Sequence, residues 1–246
     1  MRKIVKGSEP PLLRAFKERS LKNTGSTSGR KGARSKSVLP TPKYKDLDIP
    51  VKEQLVQSLL REQGYTCCYC MGRIDESNMR IEHWRPQSRF PDEQLEYRNL
   101  LAACNGNEGG GSAHEHCDVK KGNKVIAYNP ADRNIDVEHK LQYSTDGRMK
   151  TVKGENKFKE DLKSVLNLNC ERLVEDRRRA INGATNALKK NLTKLTSKQI
   201  GSWEHKDAKS HLQPYSGAVL YILRRLAKRA EFRSVNHPQS GSKKFP

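Results

Sequence analysis

Apolar residues recur at spacings of three and four through residues 50–63, where Val51, Leu55, Leu59 and Leu60 mark one face of a helix. The same period returns over residues 158–166, 171–188 and 208–232. The last of these is the most apolar, through Val219, Leu220, Ile222, Leu223 and Leu226, and Gly201, Pro214 and Gly217 interrupt the series. Leu12, Leu13, Phe16 and Leu21 predict a short helix after Pro10-Pro11, because proline suits a first helical turn. Residues 67–104 lack this period. A hairpin is expected there, with residues 67–70 turning at Met71-Gly72 into a strand near residues 79–84. A loop marked by Pro86 and Pro91 then runs to Asn99, and residues 100–104 form a second short apolar segment. The run Asn105-Gly106-Asn107-Glu108-Gly109-Gly110-Gly111-Ser112 is too glycine-rich for regular structure. A short helix is expected from Cys117 to about Gly122-Asn123. The pattern predicts an α+β fold, with a small core inside a mostly helical chain that carries an extended N-terminal arm.

Composition sharpens this division. Hydrophobic residues make up 34% and charged ones 31% of 246 residues, with a mean hydropathy of −0.90, which is polar for one densely packed globule. Residues 1–45 hold 13 Lys and Arg against 2 acids, residues 46–150 hold 14 against 17, and residues 151–246 hold 21 against 9. The expected organisation is therefore a basic arm and linker over 1–45, a slightly acidic core over 46–150 and a basic helical region over 151–246. Residues 23–43, rich in Ser, Gly, Thr and basic residues, read as the linker. The first 22 residues either dock on a partner or fold back on their own domain. Basic flanks suit a polyanion such as nucleic acid, since neutralised phosphates release counterions. No stretch approaches the roughly 20 apolar residues of a membrane span, and no apolar signal region opens the chain, so no membrane role and a cytoplasmic setting are expected. There, six cysteines read as metal ligands before disulfides.

Those cysteines are arranged for zinc. Cys67 and Cys70 have the two-residue spacing of a knuckle, and Cys104 and Cys117 supply a second pair across the glycine-rich run. Cys68 stands as an alternative to Cys67, and His114 or His116 as an alternative to a later ligand; Cys170 reads as a buried small residue. Between the pairs lie Glu82-His83, and Asp118 follows the last cysteine. Phosphodiester hydrolysis needs a base to activate water, and imidazole titrates near neutral pH, which points to His83. It also needs a hard cation at the phosphoryl oxygen, and Glu82 and Asp118 offer the carboxylate oxygens that magnesium or manganese favours. Asn99 is expected to tie down the loop behind His83 with its amide. Arg85, Arg89, Lys120 and Lys121 are expected to contact phosphates of the bound strand.

Taken together, Cys67-x2-Cys70, Glu82-His83, Asn99-Leu100 and Cys104 through Cys117-Asp118-x2-Lys121-Gly122 resemble the HNH endonuclease motif over roughly residues 64–124. The run Cys-Tyr-Cys…Ile-Glu-His-Trp-Arg-Pro-Gln-Ser…Asn-Leu-Leu is similar to the PtuB-like nucleases of Septu and certain retron anti-phage systems. The resemblance implies a ββα-metal core of two antiparallel strands and a helix around one catalytic metal, here with a zinc staple. It implies His83 as general base and Glu82 and Asp118 as metal ligands. The stretched spacing from Cys104 to Cys117 departs from the family pattern. As partners it implies a PtuA-type ATPase and, in retrons, a reverse transcriptase with its RNA–DNA hybrid. The chain itself has no Walker loop for ATP. A noncatalytic zinc module that grips nucleic acid or an ATPase is the competing reading, and an enzyme silent until its basic arms dock is a third.

Overall fold

A computed structural model describes residues 1–25, 42–189 and 197–236. Most of the expected linker therefore lies outside the described residues. Helix α1 spans Pro11–Gly25, and α2 spans Ile49–Gln63. The α2 boundaries follow from local chemistry. The Asp48 carboxylate accepts from the Val51 amide at 3.0 Å, Pro50 sits in the first turn, and Gly64 ends the helix in the left-handed region. The apolar face read from the sequence is the buried one: Val51, Leu55, Leu59 and Leu60 are all in the core.

Strands β1 (Met79–His83) and β2 (Leu100–Cys104) pair antiparallel, with Glu82 opposite Leu101 and His83 opposite Leu100. This corrects the expected hairpin. The partner of β1 is the apolar segment at 100–104, while residues 67–70 form a tight turn carrying only a single bridge, Thr66 to Arg73. That turn closes on itself, with the Met71 amide donating to the Cys67 carbonyl at 3.0 Å and the Cys67 amide to the Gly72 carbonyl at 2.9 Å. A strand there would have to open these bonds. The second edge of β2 is covered locally: the Gln63 amide brackets Ala102, accepting from its N–H at 2.8 Å and donating to its carbonyl at 2.7 Å.

Helix α3 (Cys117–Lys121) lies against β2 and completes a ββα unit. A second hairpin, β3 (Leu141–Tyr143) with β4 (Met149–Thr151), was not visible in the hydrophobic pattern because each strand has only three residues. Beyond it come α4 (Asn156–Glu160), which runs into a π turn at Asp161–Val165, then α5 (Glu171–Lys189), α6 (Ser197–Glu204) and α7 (Ser216–Asn236). The expected start of the last helix at 208 moves to 216, since residues 206–215 are taken up by turns ahead of Gly217. Among the described residues no helix is long and apolar enough to cross a membrane.

The first residues lie along this fold. The Ile4 amide donates to the Pro130 carbonyl at 2.8 Å, Arg2 reaches Glu138 and the carbonyls of Trp203 and Glu204, and Leu13 is fully buried. Lys6 donates to the Leu100 carbonyl at 3.1 Å, pairs with Glu62 at 2.9 Å and sits 3.6 Å above the Tyr97 ring. Burial lowers its pKa against the pull of Glu62.

Arg177 on α5 knits the C-terminal region together. It is almost fully buried and donates to the Gly147 carbonyl at 2.6 Å, the Leu168 carbonyl at 2.7 Å and the Asn169 side chain at 3.1 Å. Gly147 must be glycine, because at its φ of +87° a Cβ would stand 2.1 Å from the Val174 carbonyl oxygen. Arg177→Met leaves two buried carbonyls unpaired and is expected to lower stability by about 3 kcal/mol. Urea unfolding measures this, and a change below roughly 0.5 kcal/mol would contradict the assigned role.

Candidate metal centre and catalytic cluster

The sulfurs of Cys67, Cys70, Cys104 and Cys117 lie within 4.8 Å of one another. Cys70 Sγ and Cys104 Sγ are 3.9 Å apart. Two thiolates each about 2.3 Å from a tetrahedral zinc stand about 3.8 Å apart, so the donor set and its spacing fit zinc. Against burial, which opposes charge, hydrogen bonds from Cys104, Cys117, Cys68 and Cys70 draw Cys67 well below the usual thiol range. Such mutual competition for one negative charge is what a divalent cation relieves.

The structure settles the geometry of the alternatives. Cys68 is buried outside the cluster, its amide donating to the Ala102 carbonyl at 2.9 Å. His114 is exposed. His116 stands beside the cluster rather than in it, with Nδ1 3.3 Å from Cys117 Sγ and 3.9 Å from Cys104 Sγ. The stretched spacing is accommodated by closing the loop at its base. The His116 amide donates to the Gly106 carbonyl at 2.9 Å, and Gly106, at φ +59°, leaves room where a Cβ would stand 2.2 Å from the His116 oxygen. Asn167 then ties the far side, donating to the Ala113 and Glu115 carbonyls at 2.9 Å. Residues 107–115 thus loop out between a base closed at Gly106 and His116 and the Asn167 tie.

Next to the cluster lies a carboxylate pair. Glu82, 3% exposed, accepts from the Tyr69 hydroxyl at 2.8 Å and from Lys121 Nζ at 2.6 Å, and Asp118 is within hydrogen-bonding reach of it. Burial, together with the Asp118 carboxylate, holds the Glu82 carboxyl well above the usual carboxylate range, and Lys121 opposes this. Tyr69 comes from the cysteine turn and Asp118 and Lys121 from α3, so the thiolate-bearing segments also carry the groups around Glu82. Glu82 and Asp118 are the oxygen donors here that could hold a hard divalent cation.

His83 ends β1. Its Nε2 lies 2.9 Å from the Gln94 carbonyl and its Nδ1 lies 3.2 Å from Gln87 Nε2, while the Tyr44 ring meets it edge-on at 4.9 Å. Burial holds the imidazole below its usual pKa. The Gln94 carbonyl and Asp118 pull the other way, and Lys121 adds to the lowering. Asn99 bridges the following loop: its oxygen accepts from the Arg85 amide at 2.7 Å, and its nitrogen donates to the Arg85 and Glu93 carbonyls at 3.0 Å.

The basic residues divide. Lys121 was expected at phosphate, but it is 1% exposed and engaged with Glu82 and, at 3.0 Å, with the His83 carbonyl. A buried ammonium needs such partners, and these two hold it inside. Arg85 is partly exposed and pairs with Glu93 at 2.5 Å. Lys120 donates to Ser112 in the glycine loop, and Arg89 is exposed. Sequence reasoning passed over Tyr69, Tyr44, Gln87 and Gln94. Tyr69 alone carried a usable signal, as a polar aromatic inside a cysteine turn; the other three are set by tertiary approach.

No protein-family model matches the chain. Over 73 residues it is 32% identical to the Septu protein PtuB of Bacillus thuringiensis. The similarity is to PtuB, and it covers 29% of this chain. The matched stretch is 24% of that protein, so the chain spans about a quarter of the length of the curated relative it matches.

The four-cysteine assignment predicts one zinc per chain by elemental analysis. Cys70→Ser and Cys104→Ser should each lose most of it and unfold at lower temperature, whereas Cys68→Ala should keep it. Zinc retained by both serine variants and lost from Cys68→Ala would overturn the ligand set.

Proposed function

We propose that this protein is a metal-dependent HNH endonuclease that hydrolyses phosphodiester bonds of nucleic acid and serves an anti-phage complex with a PtuA-type ATPase. The observation that carries the reading is the contact of Glu82 with Asp118, with His83, the next residue of β1, feeling the Asp118 charge, on a ββα unit whose second strand and helix each supply a sulfur to the four-cysteine cluster. The similarity to a Septu protein supports the defence role and favours the ATPase over a reverse transcriptase as partner.

In this reading His83 is the base. Its Nε2 faces a carbonyl, which can only accept, so Nε2 carries the hydrogen and Nδ1 holds the lone pair. Nδ1 takes a proton from water as the water oxygen bonds to phosphorus, and the bond from phosphorus to the departing sugar oxygen breaks, leaving its electron pair on that oxygen. Glu82 and Asp118 would hold magnesium or manganese, which as a Lewis acid would supply charge stabilisation at the phosphoryl and departing oxygens. Tyr69 and Lys121 orient Glu82, and Asn99 fixes the loop that carries Gln94. Arg85, Arg89 and Lys120 are left to meet phosphates at the rim.

A noncatalytic zinc module is the second reading. The specific observation in its favour is that one Glu82 oxygen already has two donors, Tyr69 and Lys121. Nicking of plasmid DNA and cleavage of tRNA in magnesium or manganese, with the chain alone and with its coexpressed ATPase, separates the two. Cleavage supports the nuclease, and His83→Ala should reduce it by about 10²–10⁴-fold with fold and zinc content unchanged. Full cleavage by that variant rejects the base. Binding without turnover in every metal supports the zinc module.

A further inference from the structure

His83 has a partner on each ring nitrogen, and the two partners are not equivalent. Nε2 must donate, because the Gln94 carbonyl 2.9 Å away has no hydrogen to give. The neutral imidazole then presents a lone pair at Nδ1, and the group 3.2 Å from it is the Gln87 amide nitrogen, a donor. The anchors of the two partners differ as well. Gln94 is buried and held at three points: its carbonyl by His83, its side-chain oxygen by the Tyr44 amide at 2.9 Å, and its side-chain nitrogen by the Pro91 carbonyl at 2.7 Å. Gln87 is exposed, on the turn closed by the Arg89 and Phe90 amides donating to the Pro86 carbonyl. One nitrogen is thus fixed to the fold, and the other is covered by a side chain that can swing into solvent.

We infer that Gln87 caps the proposed base: its amide holds the Nδ1 lone pair, and it must leave Nδ1 before His83 can accept a proton from water. The inference rests on the nuclease reading for its kinetic consequence, while the contact itself does not. Nδ1 is the only ring nitrogen able to serve as a base, so Gln87 and the attacking water compete for one lone pair. Tyr44, edge-on to the ring, and the fixed Gln94 hold the imidazole in place while Gln87 turns away.

The test uses the full chain labelled with nitrogen-15 at histidine, with the His83 signals assigned by their loss in His83→Ala. The wild-type protein at neutral pH is expected to show a protonated Nε2 and an unprotonated, hydrogen-bonded Nδ1. Gln87→Ala and Gln87→Asn, whose side chain is one methylene too short, should shift Nδ1 and leave Nε2 in place. Gln87→Glu replaces the donor with an acceptor and should bring a proton onto Nδ1. In cleavage assays Gln87→Ala should raise kcat about fivefold with KM little changed, the factor that loss of one ordinary hydrogen bond implies. Gln87→Glu should lower kcat at least about tenfold, because its Nδ1 no longer offers a lone pair. An Nδ1 signal unmoved by Gln87→Ala overturns the inference, and so does a Gln87→Ala enzyme slower than wild type. Failure of the nuclease reading shows itself separately, as a wild-type protein that cuts nothing in any metal, and the nitrogen signals then still decide the contact.

Discussion

Four cysteine sulfurs gathered within one ion's reach are the constraint on which the rest of the site depends. They come from a turn, the last residue of β2 and the first residue of α3, pieces that are otherwise joined by irregular backbone. A five-residue helix is too short to be stable by itself, so the position of α3 has to be imposed. Cys117 does this from a left-handed backbone conformation, φ +56°, with its amide donating to the Leu166 carbonyl at 2.9 Å. A non-glycine residue in that region costs about 1 kcal/mol or more, which metal coordination readily offsets. Because Asp118 follows Cys117 and Tyr69 precedes Cys70, whatever fixes the sulfurs also fixes two of the groups around Glu82.

That carboxylate cluster is electrostatically incomplete. Glu82 and Asp118 face each other with Lys121 as the buried counter-charge, and Glu82 is driven to keep its proton. Burying the Glu82 carboxyl beside the half-buried Asp118 is a poor way to stabilise a fold, since desolvation and the neighbouring carboxylate both oppose its charge. In the proposed reading the place is kept for a cation. The same logic explains the uneven charge along the chain. In the proposed reading an acidic core would attract the metal, and the basic flanks at 1–45 and 151–246 would attract the polyanion whose phosphates the metal would meet.

The sequence made the chemistry more legible than the topology. Cysteine spacing identified the four sulfurs, because ligand identity is written in residue type, and α2 was readable because its cap, its proline and its apolar stripe agree. The partner of β1 was misread, since strand pairing is a long-range choice. It was decided by the closed turn at Cys67–Gly72 and by Gln63 covering the far edge of β2, neither of which a local pattern displays. Lys121 was read as a surface lysine because α3 is too short to show which face is buried. Gln94 entered the site through its backbone carbonyl, a group every residue has, so no sequence signal could have singled it out.

The central claim is that the sulfur cluster holds two carboxylates ready for a second, harder cation. Anomalous diffraction from crystals of the zinc-loaded protein soaked in manganese tests it most directly. The account predicts two metal peaks, zinc among Cys67, Cys70, Cys104 and Cys117 and manganese against Glu82 and Asp118. Manganese bound elsewhere, or a cluster that binds zinc while Glu82 and Asp118 bind nothing, would contradict it.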